Sequence, residues 1–224
     1  VSGPGRPDAG GQGRPAPRGR TKGAAQRLVV AISGASGPIY GIRLLQALNQ
    51  AGVEVHLILS PWAEKTIAIE TSWSVADVKA LAQRVYAADN MAAAVSSGSF
   101  RHDGMVIAPC SMRTLAAIAH GLSDNLIARA ADVTLKERRP LILVPRETPF
   151  NLIHLENMVR LHHAGAVIMP PVPSFYHRPQ TIDDLLDHFT GRILDLLGID
   201  NTLVGRWTEP IRRRGRRGEE ETEC

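Results

Sequence analysis

At 224 residues and 44% hydrophobic content, the chain is long enough to bury one substantial core and has the composition of a globular protein. Its net charge of +4 sits at the ends: residues 1–27 carry +5 and residues 206–224 carry +1, which leaves −2 on residues 28–205. A basic balance confined to the ends gives no reason to expect nucleic acid as the ligand. No stretch approaches the roughly 18 apolar residues that span a bilayer, and two cysteines make no disulfide framework. With no apolar signal core near the N-terminus, the expectation is a soluble protein of a reducing cytoplasm.

Residues 1–26, rich in Gly, Pro and Arg, have no apolar periodicity and read as a disordered extension. Arg14 to Lys22 within them read as a solvated tail rather than a nucleic-acid arm. Leu28–Ile32 is a buried strand, and Gly41 to Gln50 a helix with Ile42, Leu45 and Leu48 on one face. Val53–Leu59 is a second strand, after which Pro61 suits the first turn of a helix. Gly104–Ala108, Leu141–Val144 and Ala166–Met169 complete five strand candidates. Helices are expected from Ser111 to about His120 and over Asn151–His163. A last helix presents Ile182, Leu185, Leu186, Phe189, Ile193, Leu196 and Leu197 on one face. Arg212 to Cys224 is a basic block followed by an acidic one, so residues 206–224 read as a charged, disordered tail.

Short apolar strands alternating with helices predict an α/β fold: a doubly wound parallel sheet, Rossmann- or flavodoxin-like, in three α/β/α layers, forming one domain over 27–205. In such a sheet the turns after the strands meet at the carboxyl edge, where ligands bind. Three of these turns carry chemistry. Ser33-Gly34-Ala35-Ser36-Gly37 is a small-residue turn that admits close approach to the backbone, although tight strand–helix packing explains it equally well. It is neither a dinucleotide fingerprint nor a Walker A loop. Pro109-Cys110-Ser111-Met112-Arg113-Thr114 brings two hydroxyls and a guanidinium to a helix start, with ordinary capping by Ser111 as the other reading. Cys110 reads as a small buried residue rather than a nucleophile. Arg146-Glu147 closes the third turn, where a carboxylate can move protons.

Arg129, Lys136, Arg146 and Arg192 are candidates for gripping phosphate. Glu70 ends an apolar stretch and needs a partner, so it is either structural or an acid/base. Asp183-Asp184-Leu185-Leu186-Asp187 matches a magnesium–diphosphate motif of all-helical enzymes. At a helix start, however, the dipole explains the acids better. The histidines show no metal-ligand spacing, so no metal is expected.

Read in order, these strings together with Ser96-Ser97-Gly98-Ser99-Phe100, Arg129 to Pro140, Pro145-Arg146-Glu147-Thr148-Pro149, His154 to Met158, Gly165 to Pro170 and Phe175-Tyr176-His177-Arg178-Pro179-Gln180 resemble the UbiX-type flavin prenyltransferase family over residues 27–200. The resemblance implies that FMN is held by Gly34, Ala35, Ser36, Ser60, the helix start Ser111, Met112, Arg113 and Thr114, and Arg146. It implies that Arg129, Lys136, Arg146, Tyr176 and Arg192 bind dimethylallyl phosphate. The catalytic set it implies is Ser36, Glu70, Lys136 and Glu147. The implied reaction attaches a dimethylallyl group to N5 of reduced FMN and closes a ring at C6. The product is prenylated FMN, destined for a UbiD-type decarboxylase. A homododecamer with sites at subunit contacts is implied as well, with no metal, membrane or nucleic acid. Asn90 departs from relatives that carry Trp there, which puts an aromatic wall in doubt. The alternatives are an FMN-dependent cysteine-type decarboxylase and a non-catalytic flavin carrier.

Overall fold

The computed structural model describes residues 26–204, so the expectations for residues 1–25 and 206–224 fall outside the described residues. Among the described residues, six strands are interleaved with seven helices. They are β1 (Arg27–Ile32), α1 (Pro38–Gln50), β2 (Glu54–Leu59), α2 (Pro61–Glu70), α3 (Val75–Ala80), β3 (Arg84–Ala87), β4 (Gly104–Cys110), α4 (Met112–Ala119), α5 (Leu126–Lys136), β5 (Leu141–Pro145), α6 (Leu152–His163), β6 (Val167–Ile168) and α7 (Ile182–Leu196). The strands form one parallel sheet in the order β3-β2-β1-β4-β5-β6, as expected of a doubly wound fold. The order reverses between β1 and β4, and a crevice opens there at the carboxyl edge.

Strand periodicity divides the core into two halves. Leu28, Val30 and Ile32 of β1 join Val106, Ala108, Ile142 and Val144 on one face, under α1, α2 and α7. Val29 and Ala31 join Met105, Ile107, Leu141 and Leu143 on the other, under α4, α5 and α6. Successive side chains on opposite faces are what a strand's period of two requires, and β1 is buried on both sides.

Two expectations need correction. The sheet has six strands, not five: β3 is a four-residue edge strand whose side chains are mostly exposed, so it shows no apolar run. The first helix begins at Pro38, not Gly41, because Gly37 takes the left-handed conformation (φ 87°) that lets Pro38 open the helix.

At the opposite, amino edge lies a buried polar knot. His56 Nδ1 is 2.8 Å from the Tyr86 hydroxyl and its Nε2 is 2.9 Å from Glu54 Oε1. Arg27 spans the Phe100 ring, and Arg139 donates to the carbonyls of Phe100 and Gly98. Nearby His102, 7% exposed, has its pKa lowered to about 4, first by burial and then by the charge of Arg139. The sign of its pH effect follows. Above the unfolded value near 6.5 both states are neutral, and between 6.5 and 4 only the unfolded chain takes the proton. Stability should therefore fall by up to about 3 kcal/mol as pH drops through that window. Denaturant titrations at pH 7 and pH 4.5 check this. His102→Gln, which cannot titrate, should show a smaller loss than the wild type; an equal loss would refute the assignment.

Candidate active site

The strand ends at the carboxyl edge are tied to one another through backbone groups and the Ser33 hydroxyl. Ser33, buried at the end of β1, accepts the Ser111 N–H on its Oγ at 2.7 Å and donates its hydroxyl to the Pro109 carbonyl at 2.9 Å. Ser60 N–H donates to Ile32 O, and Arg146 N–H donates to Cys110 O. The ends of β1, β2, β4 and β5 thus form one hydrogen-bonded floor.

Three helices start on that floor. Ser60 caps α2 by accepting the Ala63 N–H, and Ser111 caps α4 by accepting the Thr114 N–H while donating to the Thr114 hydroxyl. Capping is therefore what both serines do within the chain. α4 has no acidic residue in its first turn, so its positive end is left for an anion. Met112 and Thr114 are half-buried there, while Arg113 projects into solvent and pairs with Asp124 at 3.6 Å. Cys110 is fully buried, and burial pushes its thiol well above the ordinary range, which agrees with a packing role.

Glu70 finds its partner here. It is the last residue of α2, yet its Oε2 accepts the Ser36 hydroxyl at 3.1 Å and the Gly37 N–H at 2.7 Å. The carboxylate reaches from a helix C-terminus, where the dipole opposes it, to the N-terminus of α1, where the dipole favours it. Two of the four residues expected to be catalytic are therefore in direct contact.

The close packing of the glycine turn is real as well. A Cβ on Gly34 would fall 2.4 Å from Trp62 Cβ, and one on Gly41 would fall 2.2 Å from Ala108 O. Ala35 is buried beside them. Trp62 was not expected from the sequence: it is 62% exposed at the start of α2, with Lys65 Nζ 4.4 Å from its ring. It follows Pro61, which together with Leu59, Tyr86 and Asp89 borders a cavity of about 300 Å³ next to Ser60. Tyr40 is a second unexpected neighbour. Its ring meets Phe189 edge-on at 5.2 Å and its hydroxyl feels the charge of Arg146, though burial dominates and raises its pKa.

The cations lie on three elements. Arg146 and Glu147 follow β5, both exposed, with Glu147 Oε1 accepting the Thr148 N–H. Arg129 and Lys136 belong to α5, where Arg129 donates to the Ser96 carbonyl and pairs with Asp132 at 2.8 Å. Lys136 pairs with Glu137 beside Gly98. Arg192, on α7, pairs with Asp195 at 2.9 Å, and Tyr176 bonds to His188 of the same helix. The Asp183-to-Asp187 cluster is otherwise engaged: Asp184 accepts the Gln180 and Thr181 N–H groups, and Asp187 takes Arg43 at 2.8 Å. Among the described residues no group of three or more metal-ligating side chains is assembled.

A family model described as Flavoprotein matches residues 18–194. The flavin prenyltransferase LpdB of Lactiplantibacillus plantarum is 54% identical over 183 residues, 81% of this chain and 98% of that protein. The chain belongs to the UbiX-type flavin prenyltransferases. The crystal structure of AnUbiX (PadA1) in complex with FMN and dimethylallyl pyrophosphate superposes with a TM-score of 0.82 at 53% identity, covering 83% of this chain and 99% of that one. A dodecameric FMN-dependent UbiX-like decarboxylase from Escherichia coli superposes at 0.80 and 49% identity, over 82% and 100%. The peptidyl-cysteine decarboxylase EpiD, 19% identical with a TM-score of 0.54 over 67% and 84%, shares the fold alone. For the flavin prenyltransferases as a group, the donor set of this edge suits a flat anionic ligand. It offers the unopposed start of α4, hydroxyls at Ser36, Ser60, Ser111 and Thr114, and the guanidinium of Arg146.

Proposed function

We propose that this chain transfers a dimethylallyl group from dimethylallyl phosphate to N5 of reduced FMN, with ring closure at C6, making prenylated FMN for a UbiD-type decarboxylase. The observation that carries the reading is the Ser36–Glu70 contact at the start of α1, a proton-transfer pair on the edge where a flavin would lie. The turn Gly34 to Ser36, Ser60, the α4 start from Ser111 through Met112 and Arg113 to Thr114, and Arg146 hold the FMN. Reduced FMN, when bound, supplies the nucleophilic ring atoms and a π-surface that steadies an allylic cation.

The chain's own work is electrostatic. As phosphate departs, negative charge gathers on its oxygens, and Arg129, Lys136, Arg146 and Arg192 neutralise it, with the Tyr176 hydroxyl adding a donor. Their carboxylate partners are no obstacle, because exposed ion pairs contribute only about 0–1 kcal/mol and re-partner cheaply. Lys136 steadies the leaving phosphate, Ser36 and Glu70 relay a proton, and Glu147 takes the proton released on ring closure. Four cationic groups do the work that magnesium performs in diphosphate enzymes, so no metal is needed.

The cations on α5 and α7 are held apart from the floor by their own elements, which suits a homododecamer in which neighbouring copies complete each site. Residues 27–205 make up the working domain. A buried free thiol at Cys110 suits a reducing cytoplasm.

The test is anaerobic incubation with reduced FMN and dimethylallyl phosphate, then mass spectrometry of the extracted flavin, with and without EDTA. The expected product is a flavin heavier by one five-carbon unit, with phosphate released, in both arms. Unmodified FMN would overturn the assignment, and a product lost in EDTA and restored by magnesium would overturn metal independence.

A further inference from the structure

The Tyr176 hydroxyl lies 2.6 Å from Nε2 of His188, with the two rings nearly perpendicular at 79°. His188 lies within α7, 9% exposed, on the buried side of that helix. Its ring is stacked on His177 at 4.4 Å and 3° from parallel. Both ring nitrogens of His177 are buried without a hydrogen-bond partner, so His177 contributes a ring face rather than a donor or acceptor. Arg192 follows His188 by four residues, one turn further along the helix. Burial, then the charges of His177 and Arg192, lower the proton affinity of His188, which favours the neutral imidazole. A neutral imidazole has one N–H and one acceptor nitrogen, and a phenol has a single proton to give.

We propose that His188 is a positioning residue for substrate binding: its Nε2–H holds the Tyr176 oxygen, so that the one phenolic proton is directed at an anionic oxygen of the allylic phosphate. The inference rests on the function proposed above and deepens it. In the opposite tautomer the phenol would spend its proton on His188 and turn a lone pair toward the phosphate, which repels it. The stack on His177 fixes the plane of the imidazole, and the imidazole fixes the phenol. The geometry thus extends the substrate-binding set inward by a layer that makes no contact with the substrate itself.

The test uses the full chain loaded with FMN and dimethylallyl phosphate as the probe. Calorimetry gives its Kd, and anaerobic kinetics give kcat and KM. His188→Phe keeps a stackable ring but has no Nε2, and should weaken Kd and raise KM by about tenfold, the scale of one lost hydrogen bond, with kcat little changed. His188→Gln, which returns an amide N–H near the same place, should recover most of the loss. Adding His188→Phe to Tyr176→Phe should cost nothing further, because the group it positions is gone. If the Phe variant fails to bind FMN, His188→Leu takes its place in each comparison. Wild-type Kd in the variant, no recovery with Gln, or losses that add in the double variant would each overturn the role. Absence of prenylated flavin from the wild-type chain would instead overturn the function, a separate readout from the Kd comparison.

Discussion

Glu70→Gln should leave FMN bound and slow formation of the prenylated flavin by a factor on the order of 100 or more, the usual contribution of a positioned acid/base. The substitution keeps an oxygen that can accept the Ser36 hydroxyl and the Gly37 N–H, so the start of α1 stays capped. What is lost is the capacity to take up and return a proton. The structural side of the change is small, since a charge at a helix N-terminus is worth about 0.3–1 kcal/mol. Activity and stability should therefore separate. Single-turnover mass spectrometry gives the first, and thermal melting with flavin absorbance gives the second. A rate equal to the wild type's would sink the catalytic role and leave Glu70 as a cap alone. Ser36→Ala should fall in the same direction, as the other half of the contact.

Gly41→Ala should do the reverse, damaging the fold before the chemistry. The added Cβ would lie 2.2 Å from the Ala108 carbonyl and within 2.9 Å of two Ile32 side-chain carbons. One obstacle is backbone in the middle of the sheet and the other is a fully buried side chain, so neither can step aside. Overpacking of this kind costs about 1–3 kcal/mol, and more where backbone must move. For a domain of this size that corresponds to a drop in Tm of roughly 5–10 °C. FMN retention should suffer with it, because the same shift displaces α1 at the site of the order reversal. Gly52→Ala is the control. Nothing lies within 4 Å of its Cβ, and only its φ of 68° is penalised, so it should cost about 1 kcal/mol and leave flavin binding intact. Equal melting temperatures for Gly41→Ala and the wild type would show that α1 can lift off the sheet.

Some of this architecture was legible in the sequence because it depends on neighbours along the chain. The buried strands announce themselves as apolar runs, and the caps at Ser60 and Ser111 follow from residue type at a strand end. The acids at 183 and 184 stand in the first turn of α7, as the helix-start reading expects, and Asp184 closes a capping box with Thr181, whereas Asp187 lies further along and pairs with Arg43. What escaped depends on partners far away in sequence. β3 is short and exposed, so no pattern marks it. Ser36 and Glu70 are 34 residues apart, Ser33 and Ser111 are 78 apart, and only the parallel sheet brings their turns together. Trp62 and Tyr40 read as ordinary helix residues until the glycine turn is laid beside them. Tyr176 was picked out by its motif, whereas His188 looks like one more core position of an amphipathic helix. The family resemblance singles out loops, but it carries no information about which side chains touch.

The hydrogen-bonded floor has one more consequence. Because backbone groups of Ser60, Ser111 and Arg146 and the hydroxyl of Ser33 tie four strand ends, the base of the site cannot be reshaped without opening the sheet itself. The parts that can drift between homologues are the ones standing on it: Trp62 at the start of α2 and the segment around Asn90 that follows β3. Selectivity for the length or branching of an allylic donor should therefore evolve in these upright elements, while the geometry beneath the flavin stays constant. A library confined to the upright positions would explore new donors without spending variants on the foundation.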